Sequence, residues 1–134
     1  MIHLDTSLVV DFLRETSRGE EGSATTLLTS LPPEELAISI FVLCELLAGA
    51  ALASRSDEER QKIGRFSANL RIAYPDEGFA DEYARIVSTL KRAGRNPRAM
   101  DLLIATAAVR AGARLVTRDR NDFLGVPGLD LISY

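Results

Sequence analysis

At 134 residues, 46% of them hydrophobic, with a formal net charge of −3, the chain is long enough to bury a core without disulfides or a structural metal, as a single domain spanning residues 1–134. The mildly acidic balance argues against a protein that grips nucleic acid through a broad basic surface, though a few arginines can still touch phosphates. The one cysteine, Cys44, excludes a disulfide and a cysteine-type zinc site and suits a reducing, cytoplasmic setting. No stretch reaches the roughly 18 apolar residues that cross a bilayer, so no membrane is involved.

In chain order, Ile2–Leu4 reads as a short strand. Asp5, Thr6 and Ser7 then offer capping side chains to a helix over Leu8–Arg14, and 16–22 is a polar turn. A modest helix over Ser23–Ser30 ends at Pro32-Pro33. Leu36–Ser39 is a second strand, and Ser39 caps a helix over Ile40–Ala53. Ser56 and the acids after it open another helix, to about Asn69, where negative charge suits the helix dipole.

Leu70–Ala73 is a third strand. Phe79, Tyr83, Ile86, Val87 and Leu90 recur at helical intervals until Gly94 ends the run. A basic loop, 95–98, leads into a nearly uncharged helix that opens at Asp101 and stops at Gly112. Arg114–Thr117 is a buried strand, 118–123 a polar turn or short helix, and Leu129–Ile132 a last strand. Strands alternating with helices give an α/β fold with a mainly parallel sheet of four or five strands and helices on both faces.

Ile40–Ala53 is apolar or small throughout except for Glu45, as in a helix inside the protein or wedged into a subunit contact. No Lys or Arg lies one turn from Glu45, and an unpaired buried carboxylate costs about several kcal/mol. A cation from another segment, a retained proton or a divalent ion must compensate it. In the same helix Cys44 is expected to be packed and inert.

Ligands of open parallel sheets gather at the carboxyl ends of the strands. Asp5 follows the first strand, Asp101 opens a helix and Asp119 follows the fourth strand. Each also reads as a helix cap, but Glu45 lies too deep in its helix to be one. Four carboxylates on one edge require a cation. His3, the only histidine, reads as a packed structural residue, so an all-oxygen site suits Mg²⁺ or Mn²⁺ and phosphoryl chemistry. A phosphoaspartyl phosphatase would want an acid where Ser7 stands, and a receiver domain a lysine after the fourth strand, whereas the last lysine is Lys91. A metal-dependent nuclease remains.

HLDTS around Asp5, CELLAGA around Glu45, AMDLLIATAA around Asp101 and LVTRDRNDF around Asp119 resemble, in order and spacing, the four acidic motifs of PIN-domain nucleases, in particular the VapC-type toxins of type II toxin-antitoxin pairs. The resemblance covers the whole chain. It implies a three-layer α/β/α sandwich and an endoribonuclease with one or two Mg²⁺ or Mn²⁺ ions. It also implies a homodimer, held with a VapB-like antitoxin that covers the site, in a complex that can be larger.

Carried over motif by motif, Asp5, Glu45, Asp101 and Asp119 hold metal and carry catalysis, with Asp122 sharing or replacing the last position. Thr6 or Ser7 orders ligands or their waters, and cleavage leaves a 5′-phosphate. Arg95, Arg98, Arg118 and Arg120 read first as solvated surface arginines and otherwise as candidates for RNA phosphates. The alternative of a different class is a catalytically silent PIN-like module that binds RNA or a partner chain through the same acids. The helices bearing Glu45 and Asp101 are expected either to form the subunit contact or to be buried centrally.

Overall fold

The computed structural model describes residues 1–134. The elements are β1 (Ile2–Leu4), α1 (Thr6–Arg18), α2 (Ser23–Ser30), β2 (Leu36–Ser39), α3 (Ile40–Leu52), α4 (Ser56–Ser67), β3 (Arg71–Ala73), α5 (Phe79–Arg92), α6 (Ala99–Arg110), β4 (Arg114–Thr117), a 3₁₀ turn at Arg120–Phe123, and β5 (Asp130–Ser133). The strands lie in the order β3-β2-β1-β4-β5, and every pairing is parallel.

The chain leaves β1 towards β2 and β3, then crosses back to build β4 and β5 on the other side of β1. Parallel crossovers are right-handed, so reversing the direction of travel moves the connecting helices to the opposite face. The observed packing agrees: α1 lies on α2 and α3, and α3 on α4, while α5 packs on α6. The reversal falls between β1 and β4, which makes the crevice at their carboxyl ends the natural place for a ligand.

Fully buried Ile2, Leu4, Leu8, Val9, Ile38, Val42, Leu115 and Val116 tie the central strands to α1 and α3, and Ile86, Ile104, Ala105 and Ala108 come from the α5 and α6 layer. The small side chains of α6 let it lie close to its neighbours. This helix is buried from Ile104 through Ala108, so it is a central element of the fold.

The structure departs from the sequence reading in places with identifiable causes. Helix α1 continues through 15–18, and Gly19 closes it at φ 65°. Glu15 there accepts the backbone N–H of Thr25 at 2.9 Å and of Ala24 at 3.2 Å, so its carboxylate satisfies the open amides of α2. Those amides hold the Glu15 carboxyl below its ordinary range. Ser39 caps α3 as expected, accepting from the Val42 N–H, whereas Ser56 makes no side-chain cap.

Helix α3 is the larger correction. Only Val42, Leu46 and Ala50 are buried, a single stripe at four-residue intervals. Cys44, Ala48, Gly49 and Ala51 are exposed, and Leu52 is 89% exposed. Cys44 is therefore a surface thiol, contrary to the expectation of core packing: an all-apolar sequence hides which stripe the rest of the fold covers.

Candidate active site

Asp5 ends β1 in extended conformation and stands directly before α1. It is only 5% exposed. Its side chain makes no cap bond to a backbone N–H of α1; its partners are two hydroxyls, one from across the sheet and one from the first turn of α1. Thr117, the last residue of β4, donates its hydroxyl to Asp5 Oδ2 at 2.7 Å, and Ser7 donates to the same oxygen at 3.0 Å. Each hydroxyl in turn accepts a backbone N–H from the segment after β4: Asp119 N–H to Thr117 Oγ1 at 3.0 Å, Arg118 N–H to Ser7 Oγ at 3.2 Å. The hydroxyl protons are thus directed at Asp5, and the two strand ends are joined by one polar network. Burial raises the Asp5 carboxyl above its ordinary pKa; the hydroxyls of Thr117 and Ser7 oppose this, and the charge of Asp101 adds to it.

Asp101 sits in the first turn of α6 and is also 5% exposed. Helix α6 runs towards the start of β4, which leaves its first turn at the carboxyl edge of the sheet, beside Asp5. Arg98, the residue before the helix, forms a fork with this carboxylate, Nε to Oδ2 at 3.2 Å and Nη2 to Oδ1 at 3.1 Å. Glu45 is half-buried and not fully enclosed, as the sequence reading had it. Thr6, the first residue of α1, donates its hydroxyl to Glu45 Oε1 at 2.7 Å.

Asp119 is joined to this group through its backbone N–H; its carboxylate lies 3.5 Å from Arg118 Nε. Asp122 is exposed on the 3₁₀ turn and lines a cleft of about 330 Å³ together with Arg95, Arg98, Asp101 and Asn121. The guanidinium of Arg98 is held above its ordinary pKa by Asp101 first, and then by the charges of Glu45 and Asp122.

The expected quartet is therefore more open than the sequence reading had it. Asp5 feels the charge of Asp101, Glu45 is tied to the residue after Asp5, and Arg98 bonds Asp101 and feels the charges of Glu45 and Asp122. Nowhere do three His, Cys, Asp or Glu side chains stand close enough to hold an ion between them. An ion placed here would meet oxygen donors, because His3 is buried in β1 and Cys44 faces outward. A buried carboxylate with a raised pKa beside a second buried carboxylate fits a hard divalent cation, which would relieve both.

Three of the four candidate RNA-binding arginines are engaged within the chain. Arg95 donates to the Leu124 carbonyl at 2.7 Å, Arg98 holds Asp101, and Arg118 bonds both oxygens of Asp11 at 2.8 and 3.0 Å. Arg120 is exposed. Thr117 and Asp11 are the residues that sequence reasoning missed. A hydroxyl closing a buried strand next to an aspartate was the available signal for Thr117; Asp11 gave none.

The PIN domain family model matches residues 2–129. Among curated proteins the chain is 30% identical to ribonuclease VapC2 of Rickettsia felis over 99 residues, 74% of each chain. It is 25% identical to ribonuclease VapC1 of Haemophilus influenzae over 126 residues, 94% of this chain and 92% of the other. Among solved structures, that of VapBC2 from Rickettsia felis bound to a promoter DNA fragment superposes with a TM-score of 0.89 at 27% identity, covering 100% of this chain and 99% of that one. VapBC-1 from nontypeable Haemophilus influenzae gives 0.82 at 25% identity, over 99% and 98%. With a sheet of this order, acids at its carboxyl edge and these likenesses over nearly the whole length, the chain belongs to the PIN domain family, among relatives of the VapC ribonucleases.

Proposed function

We propose that this chain is a divalent-metal-dependent endoribonuclease, and the toxin of a type II toxin-antitoxin pair. The observation that carries the reading is Asp5: a buried carboxylate, oriented by two hydroxyls, beside Asp101 at the point where the sheet reverses direction. Solved relatives named as VapBC complexes at 25% identity or more support the pairing with an antitoxin.

Asp5 and Asp101 would hold the principal Mg²⁺ or Mn²⁺ ion. Glu45 would complete its shell or that of a second ion, with Asp119 or Asp122 as the last acid. The chemistry an ion held by these residues would supply is activation of a water toward phosphorus and neutralisation of charge on the departing oxygen. Thr117 and Ser7 keep the lone pairs of Asp5 in a fixed direction, and Thr6 does the same for Glu45. Arg120 on the exposed turn is free to meet an RNA phosphate.

A cleft of about 370 Å³ between α1, α3 and α4 has Val10, Leu13, Leu46 and Ile63 along it and Glu45 in its wall. An antitoxin segment lying there would reach the site, and charged Arg14, Arg18 and Lys62 would fix its register. The uncovered face of α3, with Ala48, Ala51 and Leu52, is apolar surface of the kind a second copy covers.

The fork between Arg98 and Asp101 favours a second reading, a silent module whose acids bind a guanidinium and no metal. Incubation of purified protein with structured and unstructured RNA, with Mn²⁺ or with chelator, separates the two. Metal-dependent cleavage that chelator abolishes is the expected result. Intact RNA in every condition, with no heat of Mn²⁺ binding, would leave the silent module.

A further inference from the structure

The pair Arg98–Asp101 is asymmetric. The carboxylate is 7% exposed and fixed by the first turn of α6, whereas the guanidinium is 72% exposed and reaches it from the residue just before the helix. The fork occupies both carboxylate oxygens, and the same guanidinium answers the charges of Glu45 and Asp122. One exposed cation thus bonds the acid of α6 and answers the charges of those on α3 and the turn after β4, while Asp5 has hydroxyls and no cation. Beyond the fork lies the polar cleft of about 330 Å³ lined by Arg95, Asn96, Asn121 and Asp122, into which a released side chain can swing.

We propose that Arg98 is the resident counter-ion of this acid cluster and is exchanged for the divalent ion when the site loads. With the fork closed, Arg98 neutralises Asp101. A hard divalent ion held by Asp5 and Asp101 would take over that charge, and the fork would open. The freed guanidinium, still anchored one residue before α6, then faces the cleft with its donors open to a phosphate. Metal uptake and the presentation of a phosphate-binding group become one event, so the chain presents that group only once it is loaded. This rests on the metal-dependent reading above and assigns a role that the reading lacks.

The test uses the whole chain, freed of metal by chelation. Calorimetric titration of Mn²⁺ into wild type, Arg98→Gln and Arg98→Lys should give about two- to fivefold tighter binding for Arg98→Gln, the span expected when a mostly exposed ion pair no longer has to be broken. Arg98→Lys, which keeps the charge without the fork, should fall between the two. Metal-free Arg98→Gln should melt below wild type, and saturating Mn²⁺ should close that gap. In wild type the ¹⁵N resonance of Arg98 Nε–H should shift and exchange faster with water as Mg²⁺ is added. If wild type binds Mn²⁺ but Arg98→Gln binds it no tighter, and Mg²⁺ leaves the Arg98 signal unmoved, the exchange is wrong while the metal-dependent reading stands. If wild type takes up no Mn²⁺, both fall.

Discussion

Thr117 and Asp5 are 112 positions apart in the chain, yet hydroxyl and carboxylate lie 2.7 Å apart across the β1–β4 junction. Because Thr117 also accepts the Asp119 N–H, one side chain sets both the direction of Asp5 and the start of the turn that carries Asp119 and Asp122. Thr117→Val keeps shape and volume and removes both bonds. Groups that orient metal ligands are typically worth about 10–100-fold in affinity or activity, and RNA cleavage by Thr117→Val is expected to fall by that factor. Thr117→Ser, which restores the hydroxyl, should recover most of it. Rates measured at saturating Mn²⁺ and again at limiting Mn²⁺ locate the defect; an unchanged rate at both would remove Thr117 from the site.

The raised pKa of Asp5 has a defined sign. A carboxyl that holds its proton more tightly in the folded chain contributes stability below its unfolded pKa, and that contribution disappears as pH rises through the folded value. At pH 7 without metal, Asp5 is therefore a burden. Asp5→Asn should melt at the same temperature as wild type or a few degrees higher at pH 7, with the advantage vanishing in acid. Divalent ion reverses the order: at about 100 times its dissociation constant it stabilises wild type by about 2.7 kcal/mol and leaves Asp5→Asn unmoved. RNA cleavage by Asp5→Asn should drop at least about 100-fold, the usual loss when a charge-positioning group is removed from a site. A variant that melts well below wild type at pH 7 would contradict the raised pKa.

The order of strands and helices was legible because short apolar strands alternate with helices whose ends carry Ser39, Gly94 and Gly112 at the expected places. Glu45 could be singled out because a lone acid in an apolar run is anomalous wherever the run folds, and Asp5 and Asp101 because they stand after a strand and at a helix start. What the sequence could not give was the cation. Arg98 stands three residues before Asp101 and reads as one member of a basic loop; only the first turn of α6 folds the guanidinium back onto that carboxylate. The exposure of α3 was hidden for the opposite reason. Its residues are apolar all round, so periodicity could not say that only Val42, Leu46 and Ala50 face the core. Asp11 gave no signal because its partner, Arg118, lies more than a hundred residues later in the chain.

His3 is 1% exposed in the central strand, and its Nε2 has no hydrogen-bond partner. Burial lowers its pKa to about 4, with the positive N-terminus adding to the effect. A base with a depressed folded pKa contributes stability that is complete above its unfolded value of about 6.5 and is lost as pH falls towards 4. The loss over that window is on the order of 3 kcal/mol. His3→Leu, which cannot take up the proton, should lack this portion of acid sensitivity. Urea unfolding of both chains at pH 7, 5.5 and 4.5 gives the difference curve. Parallel curves would mean that His3 is solvated or paired in solution.

Asp11, on the exposed side of α1, draws together two parts of the chain distant in sequence. Its carboxylate is only 12% exposed and accepts Arg118 Nη1 on both oxygens and the Tyr134 hydroxyl at 2.8 Å. Burial, and then the bond to Asp11, raise the Tyr134 pKa, so the hydroxyl remains a donor throughout the ordinary pH range. Arg118 lies between Thr117 and Asp119, so this clamp fixes the backbone on which both depend. Tyr134→Phe removes one bond to a charged acceptor and should lower stability by about 1–2 kcal/mol, with cleavage within a few-fold of wild type. Asp11→Asn weakens the hold on Arg118 itself. It should lower stability by a similar amount and, in addition, reduce cleavage about tenfold at a temperature where the variant is fully folded, because the turn bearing Asp119 loses its anchor. Chemical denaturation paired with single-turnover cleavage separates the two effects. If Tyr134→Phe and Asp11→Asn reduce cleavage equally, Arg118 has no separate part in positioning that turn.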